Sequence, residues 1–462
     1  MLFSSITFIY SFLPILILVY FITPKKYRNI PLLIFSLIFY FLGEPKYIVI
    51  LLFSCIINYY LSKLMTNKKT KKYKKVLLIL SLIYNIGQLI YFKYTDFFIS
   101  NINNLFNLDI SLLHVIMPIG ISFFTFQIIA YIVDVYNGKH KPSKNLIDFT
   151  MYVSLFLQLI AGPIVRYSDI EKEIIKRETN YNNFSQGVTR FVIGLSKKVL
   201  LANVLGEFAT NLIEETILAA WLKPILFTLQ IYFDFSGYSD MAIGLGLMLG
   251  FHFLENFNYP LIAKSITDFW RRWHISLSSW FKDYVYIPLG GNKVSKTKWL
   301  RNIIIVWLLT GFWHGASWNF IIWGLYFGIL LTLEKLFLSK LLEKTKIIKY
   351  IYTTIIVIIS FLIFSTETTP AIINNLKSMF FLNNIPFTSL ETTYYLRSYL
   401  VLLIISIIGA TPLCKNIIIK LKETKLKVLI DILEPIYIIV LLTLSTAFLI
   451  DASFNPFLYF RF

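Results

Sequence analysis

Most of the chain alternates between apolar runs of about 17–25 residues and short polar loops, a helical span pattern and not the ten-residue alternation of a membrane barrel. The first run starts at Leu2 without a basic leader or a small-residue cleavage site, so it reads as a retained span. Runs at 30–43 and 47–62 form a hairpin broken at Gly43-Glu44-Pro45. Further runs cover 76–92, 113–135, 184–205 and 222–250. Another leads outward from Arg301 through His314 and returns to Lys335, and the last three lie at 350–366, 398–414 and 428–450. The run 146–162 ends in Ala161-Gly162-Pro163 with Arg166 just beyond, as in a re-entrant segment, which is tolerated only inside protein or along a cavity. The pattern predicts an all-α integral membrane protein with about 10–12 transmembrane helices plus re-entrant and interfacial helices. It is read as one polytopic domain over 1–462, with a core at 113–336 and C-terminal helices at 347–462.

The 462 residues carry a formal charge of +19, but the charge is parcelled among loops and forms no single patch. Lysines cluster at 63–75, 139–144, 293–298, 335–349 and 415–427, which by the positive-inside rule are one cytoplasmic set. The N-terminus, Glu44 and the Asn-rich stretch 101–109 then lie outside. Composition, at 57% hydrophobic, points to the lipid bilayer as the principal partner and leaves no reason to invoke nucleic acid. Cys55 and Cys414 both sit in apolar runs, so no disulfide framework is implied. No set of His, Asp and Cys has metal spacing, and no metal is expected.

Three polar groups interrupt the apolar pattern. His314 lies in Thr310-Gly311-Phe312-Trp313-His314-Gly315-Ala316-Ser317-Trp318, roughly 20 Å along a helix counted from Arg301. On a continuous helix Thr310 is one turn below it and Ser317 and Trp318 one turn above. Gly311 and Gly315, spaced i and i+4, let another backbone approach. Burial favours neutral imidazole, which serves as a general base; the plainer reading is a packed histidine bonded to a carbonyl. The stretch 264–286 has an apolar stripe of Trp270, Trp273, Leu277, Trp280 and Tyr284 opposite Asp268, Arg271, Arg272, Lys282 and Asp283, as in an interfacial amphipathic helix with His274 at the stripe's edge. Asp234, Tyr238 and Asp240 sit inside the run 222–250, where carboxylates either serve a site or pair with Arg190, Lys197 or Lys198.

These motifs resemble the membrane-bound O-acyltransferase (MBOAT) family, in its branch of alginate and peptidoglycan O-acetyltransferase membrane subunits. The resemblance rests on Glu44-Pro45, Ala161-Gly162-Pro163-Ile164, Gln230 to Gly244, Asp268 to Gly291, Leu309 to Gly324 and the terminal Asn455 to Phe462. Arg-Trp-His followed forty residues later by Phe-Trp-His-Gly is its most specific part. The D-alanyl-lipoteichoic acid branch is similar but lacks the Tyr286 to Gly291 run. Relatives usually carry Phe-Arg where this chain has Phe364-Ser365-Thr366, a departure at one accessory polar contact. The resemblance implies helices ringed around a central channel, His314 as the catalytic histidine and His274 as its upstream partner. It implies acetyl-CoA as donor and an acceptor hydroxyl outside the bacterial cytoplasmic membrane. That hydroxyl would be a serine of an extracytoplasmic hydrolase-like partner, and then a polysaccharide. Asp234, Tyr238, Asp240, Arg271, Arg272, Trp273, Trp313 and Ser317 are the expected channel or substrate contacts. Two other readings keep some of these features: transfer of D-alanine or a longer acyl chain, and a transporter or flippase without acyl chemistry. Against the transporter, the two halves show no internal repeat of broken helices.

Overall fold

The computed structural model describes residues 2–160, 162–451 and 458. Ala161 and the terminal motif residues 455–457 and 459–462 lie outside the described residues. Among those described, the regular secondary structure is helical throughout. Six helices are long and apolar enough to cross a membrane: Ile48–Thr66, Lys71–Phe106, Ile217–Met248, Trp318–Lys344, Ile348–Ser365 and Lys427–Asp451. The pair Leu390–Ser398 and Leu400–Gly409, bent by 55°, makes a seventh if it is one span. The apolar helices Phe8–Ile22, Asn29–Gly43 and Ile121–Asn137 are shorter.

The remaining predicted runs are interrupted for visible reasons. The run 184–205 becomes Tyr181–Ser196 followed by a π-helical turn, Lys197–Asn203, which carries two lysines. The helix Lys296–His314 opens with Lys296, Lys298 and Arg301 and stops at His314, where Gly315 is extended. The run 146–162 forms two short buried helices, Leu146–Ser154 and Phe156–Leu159, too short to span. In the other direction, the helix from Lys74 continues to Phe106 and absorbs most of the predicted Asn-rich loop.

Packing divides the chain into two compact units, Met1–Phe191 with Met241–Leu254, and Val192–Asp240 with Glu255–Phe462. In the first, Phe3, Phe8, Phe12, Phe39 and Phe156 interlock, with Phe3 and Phe8 centroids 4.9 Å apart. Lipid tails are as apolar as these rings, so helix association also needs polar glue. Asn58, Ser81 and Asn85 supply it: the Ser81 hydroxyl donates to Asn58 Oδ1 at 2.6 Å and Asn85 Nδ2 donates to it at 2.9 Å.

The second unit packs around an aromatic cluster that includes Phe269, Trp270, Trp273, Phe320, Trp323, Phe327, Phe361 and Phe364. Its central hairpin joins Lys296–His314 to Trp318–Leu333. Gly311 and Gly324 face each other there: a Cβ on Gly311 would collide with the Phe320 carbonyl, and one on Gly324 with that of Trp307. The close approach expected of Gly311 is therefore realised, while Gly315 abuts the Phe320 ring.

Candidate active site

His314 is the last residue of its helix, so the expectation that Ser317 and Trp318 continue one turn above it is corrected. Gly315 breaks the helix, and Ser317 takes the N-cap position of Trp318–Leu333 in extended backbone. Trp318 is 55% exposed. The buried His314 ring is instead enclosed by aromatics: Trp313 at 5.0 Å, Trp323 at 5.0 Å and Phe364 at 5.3 Å between centroids. Beneath it, Asn302 Nδ2 donates to the carbonyls of Leu289 and Gly291, both at 3.1 Å, tying the Tyr286 to Gly291 turn to the histidine helix. Gly290 and Gly291 have φ of 99° and 56°, which this turn demands and which side chains rarely adopt.

The predicted continuous amphipathic helix over 264–286 is also corrected. Two short helices, Ile266–Arg272 and Ile275–Phe281, are separated by a break in which His274 has φ 44°. The cause is a non-local pairing: Asn258 N donates to Arg272 O at 2.9 Å, and Ile275 N donates to Asn256 O at 3.0 Å. Asn256 Oδ1 then accepts from Ser276 N at 3.1 Å and Ser276 Oγ at 2.9 Å, and lies 3.2 Å from His274 Nδ1. Ser276 Oγ lies 3.4 Å from the same ring nitrogen. The ring is 1% exposed, and burial pushes its pKa down to about 3, so it is neutral. Glu334 anchors the first short helix: its carboxylate accepts from Ile266 N at 2.5 Å, Thr267 N at 3.0 Å and Thr267 Oγ1 at 2.9 Å. A carboxylate favours a helix N-terminus.

The two histidines meet on one indole. Trp313 lies 6.1 Å from His274 and 5.0 Å from His314. The helix Ile217–Met248 reaches His274 through Phe235, whose ring is 4.7 Å away and edge-on. Its carboxylates take the ion-pair option: Asp234 pairs with Lys198 at 2.7 Å and accepts from Leu458 N at 3.0 Å, and Asp240 pairs with Lys197 at 2.7 Å. Tyr238 is fully buried one turn beyond Asp234. Arg272 turns to Asp268 at 2.9 Å, while Trp273 stacks on Phe269. Arg271 lines a cavity of about 230 Å³ with Lys282, Lys335, Trp270 and Trp307.

Two cavities lie beyond the aromatic rings around His314. Trp323 touches His314 and, at 5.6 Å, Trp270, which walls the Arg271 cavity. Phe364 also touches His314, and the next residues, Ser365 and Thr366, line a cavity of about 350 Å³ with Thr210, Lys223, Gln230 and Asn375. The buried Nε1 atoms of Trp270 and Trp323 have no hydrogen-bond acceptor among the described residues. Such buried donors are rare and mark candidate positions for developing charge. Asn256, Glu334, Trp270 as a donor, Trp323 and Phe364 are contributors that sequence reasoning missed. The unusual backbone at His274 had no sequence signal, and Trp323 reads as ordinary core.

The family model for MBOAT, the membrane-bound O-acyltransferase family, matches residues 139–366. Over the whole of both chains this protein is 38% identical to the probable alginate O-acetylase AlgI of Pseudomonas putida. It is 40% identical to the AlgI protein of Pseudomonas aeruginosa over 87% of this chain and 81% of that one. It is 38% identical to the peptidoglycan O-acetyltransferase of Helicobacter pylori over 83% of this chain and 81% of that one. The aromatic-walled histidine pair thus sits in a chain that belongs to the membrane-bound O-acyltransferase family.

Proposed function

We propose that this O-acyltransferase moves acetyl from cytosolic acetyl-CoA to a hydroxyl on the far side of the bacterial cytoplasmic membrane. The supporting observation is the position of His314, two aromatic rings (Trp323 and Trp270) from a cavity lined by Arg271, Lys282 and Lys335, and one ring (Phe364) from the wall of a hydroxyl- and amide-lined cavity that carries a single lysine, Lys223. Arg271, Lys282 and Lys335 suit the phosphates of coenzyme A, and the positive-inside pattern puts them in the cytoplasm. Thr210, Gln230, Thr366 and Asn375 suit a sugar or a serine-bearing partner. The relatives' names suggest alginate or peptidoglycan as the final acceptor, with an extracytoplasmic hydrolase-like protein as the intermediate carrier.

In this reading His314 accepts the acceptor's hydroxyl proton as oxygen attacks the thioester carbonyl. The C–S bond then breaks, and the departing thiolate recovers the proton from imidazolium, giving ester and free CoA. The indole N–H of Trp323 stabilises the tetrahedral oxyanion, and His274 orients the donor. Asp234, Tyr238 and Asp240 hold the helix Ile217–Met248 in place beside His274.

The test offers purified full-length protein acetyl-CoA with a uronate oligosaccharide or a serine-bearing carrier protein. Free CoA and acetyl ester should appear in equal amounts and only when an acceptor is present. A transporter or flippase would release no CoA, and that result would overturn the proposal.

A further inference from the structure

The first unit contains a second basic cavity, of about 320 Å³, lined by Lys25, Lys26, Arg28, Lys144 and Arg177. Two of its cations are buried: Arg28 is 7% exposed and Arg177 9%. Both guanidiniums lean on one ring, with Cζ to the Tyr20 centroid 4.8 Å for Arg28 and 5.9 Å for Arg177. Neither is in a salt bridge among the described residues. Arg28 donates to Thr23 O and to Thr179 Oγ1, and Arg177 to the Tyr20 hydroxyl and Glu173 O, always through Nε or Nη1. The Nη2 groups therefore have no acceptor among the described residues. The cavity's one carboxylate, Asp148, is held by the side-chain amides of Asn29 at 2.6 Å and Asn145 at 2.8 Å.

Two like charges sharing a buried ring are costly unless an anion accompanies them. Two helix N-termini add positive potential at the same place, since Asn29 and Ile30 open Asn29–Gly43 and Ile147 lies in the first turn of Leu146–Ser154. The last turn of Tyr167–Ile175 contributes only the apolar Ile174 and Ile175 to the wall. From the cavity an apolar track runs along Asn29–Gly43, because Ile30, Ile34 and Ile38 recur at i, i+4 and i+8 and are 41%, 50% and 43% exposed.

We propose that this cavity binds the phosphate of an anionic phospholipid, whose acyl chain lies along Ile30, Ile34 and Ile38. A soluble phosphate would satisfy the cations but would leave that track unused. The site stands apart from the acyl-transfer reading and can fail without it.

The test reconstitutes the full-length protein in phosphatidylcholine nanodiscs with about one-tenth phosphatidylglycerol, and counts retained lipid by native mass spectrometry. Wild type should retain phosphatidylglycerol through delipidation, and Arg28→Gln with Arg177→Gln should lower retention about tenfold. The exposed pair Lys25→Gln with Lys144→Gln, which leaves the packing untouched, should lower it severalfold and decides the matter if the arginine variant does not fold. Millimolar inorganic phosphate or CoA should not displace the lipid. Equal retention by both variants, equal retention of phosphatidylcholine, or displacement by phosphate or CoA would each overturn the proposal.

Discussion

Asn256 and His274 are eighteen residues apart, yet Asn256 Oδ1 lies 3.2 Å from the ring Nδ1 of His274. The same oxygen secures Ser276, so one buried amide holds both the histidine ring and the backbone break that presents it. Outer partners of this kind typically change activity by about 10–100-fold when removed. Asn256→Leu is expected to lower kcat within that range. Asn256→Asp keeps the acceptor and should restore much of the rate, with a new acidic limb in the pH profile as the added carboxylate raises the His274 pKa. A rate unchanged in Asn256→Leu would count against a positioning role.

The neutral, buried state of His274 carries a pH signature. Burial holds its pKa near 3 in the folded protein, whereas the unfolded chain takes up a proton near the ordinary histidine value of about 6.5. The unfolded state therefore binds more protons below that pH, and stability falls as the pH drops from about 6.5 toward acid. Thermal unfolding in detergent should show a decline between pH 6.5 and 4.5 that is smaller in His274→Gln. Identical declines in the two proteins would contradict the assignment.

Trp323 offers an indole N–H beside His314 that meets no acceptor among the described residues. Trp323→Phe keeps the ring packing and deletes the donor. Loss of one oxyanion donor costs about 10²–10³ in kcat, so kcat should fall by that order with KM for acetyl-CoA near wild type. A change confined to KM would assign Trp323 to binding instead.

The pair Asp234 and Lys198 tests whether the intramembrane carboxylates serve architecture. At 2.7 Å, with both side chains 3% exposed or less, it is a buried salt bridge. Breaking one by a single substitution typically costs about 3–5 kcal/mol, whereas an apolar replacement of both partners is often tolerated. Asp234→Leu alone should lower the unfolding temperature sharply, and Asp234→Leu with Lys198→Met should recover most of it together with activity. A stable but inactive double variant would show that the carboxylate acts on substrate.

Much of the candidate site was legible because its signals are local. The polar interruption of an apolar run flags His314, and the i, i+4 spacing of Gly311 and Gly315 announces the close approach that Gly324 completes. The pairing of Asp234 and Asp240 with neighbouring lysines was one of two readings, and the structure contains both ion pairs. What was hidden is non-local. Asn256 acts by pairing its backbone and side chain with residues 274–276, and nothing in the stripe of Trp270, Trp273, Leu277 and Trp280 reveals the resulting break. Glu334 looks like a helix-end charge until its carboxylate is seen capping Ile266–Arg272. The end of the helix Lys296–His314 at the histidine was equally hidden, because Gly315 in extended backbone breaks a run that hydropathy reads as continuous.

The central claim is that His314 takes the proton of the attacking hydroxyl. Its most direct test is a single-turnover assay of His314→Ala and His314→Gln in proteoliposomes loaded with radiolabelled acetyl-CoA, with protein folding checked by thermal unfolding. Both variants should remain folded, bind acetyl-CoA with wild-type affinity and lose transfer by at least about 10²-fold, the lower range for a positioned base. Transfer within about twofold of wild type would contradict the account.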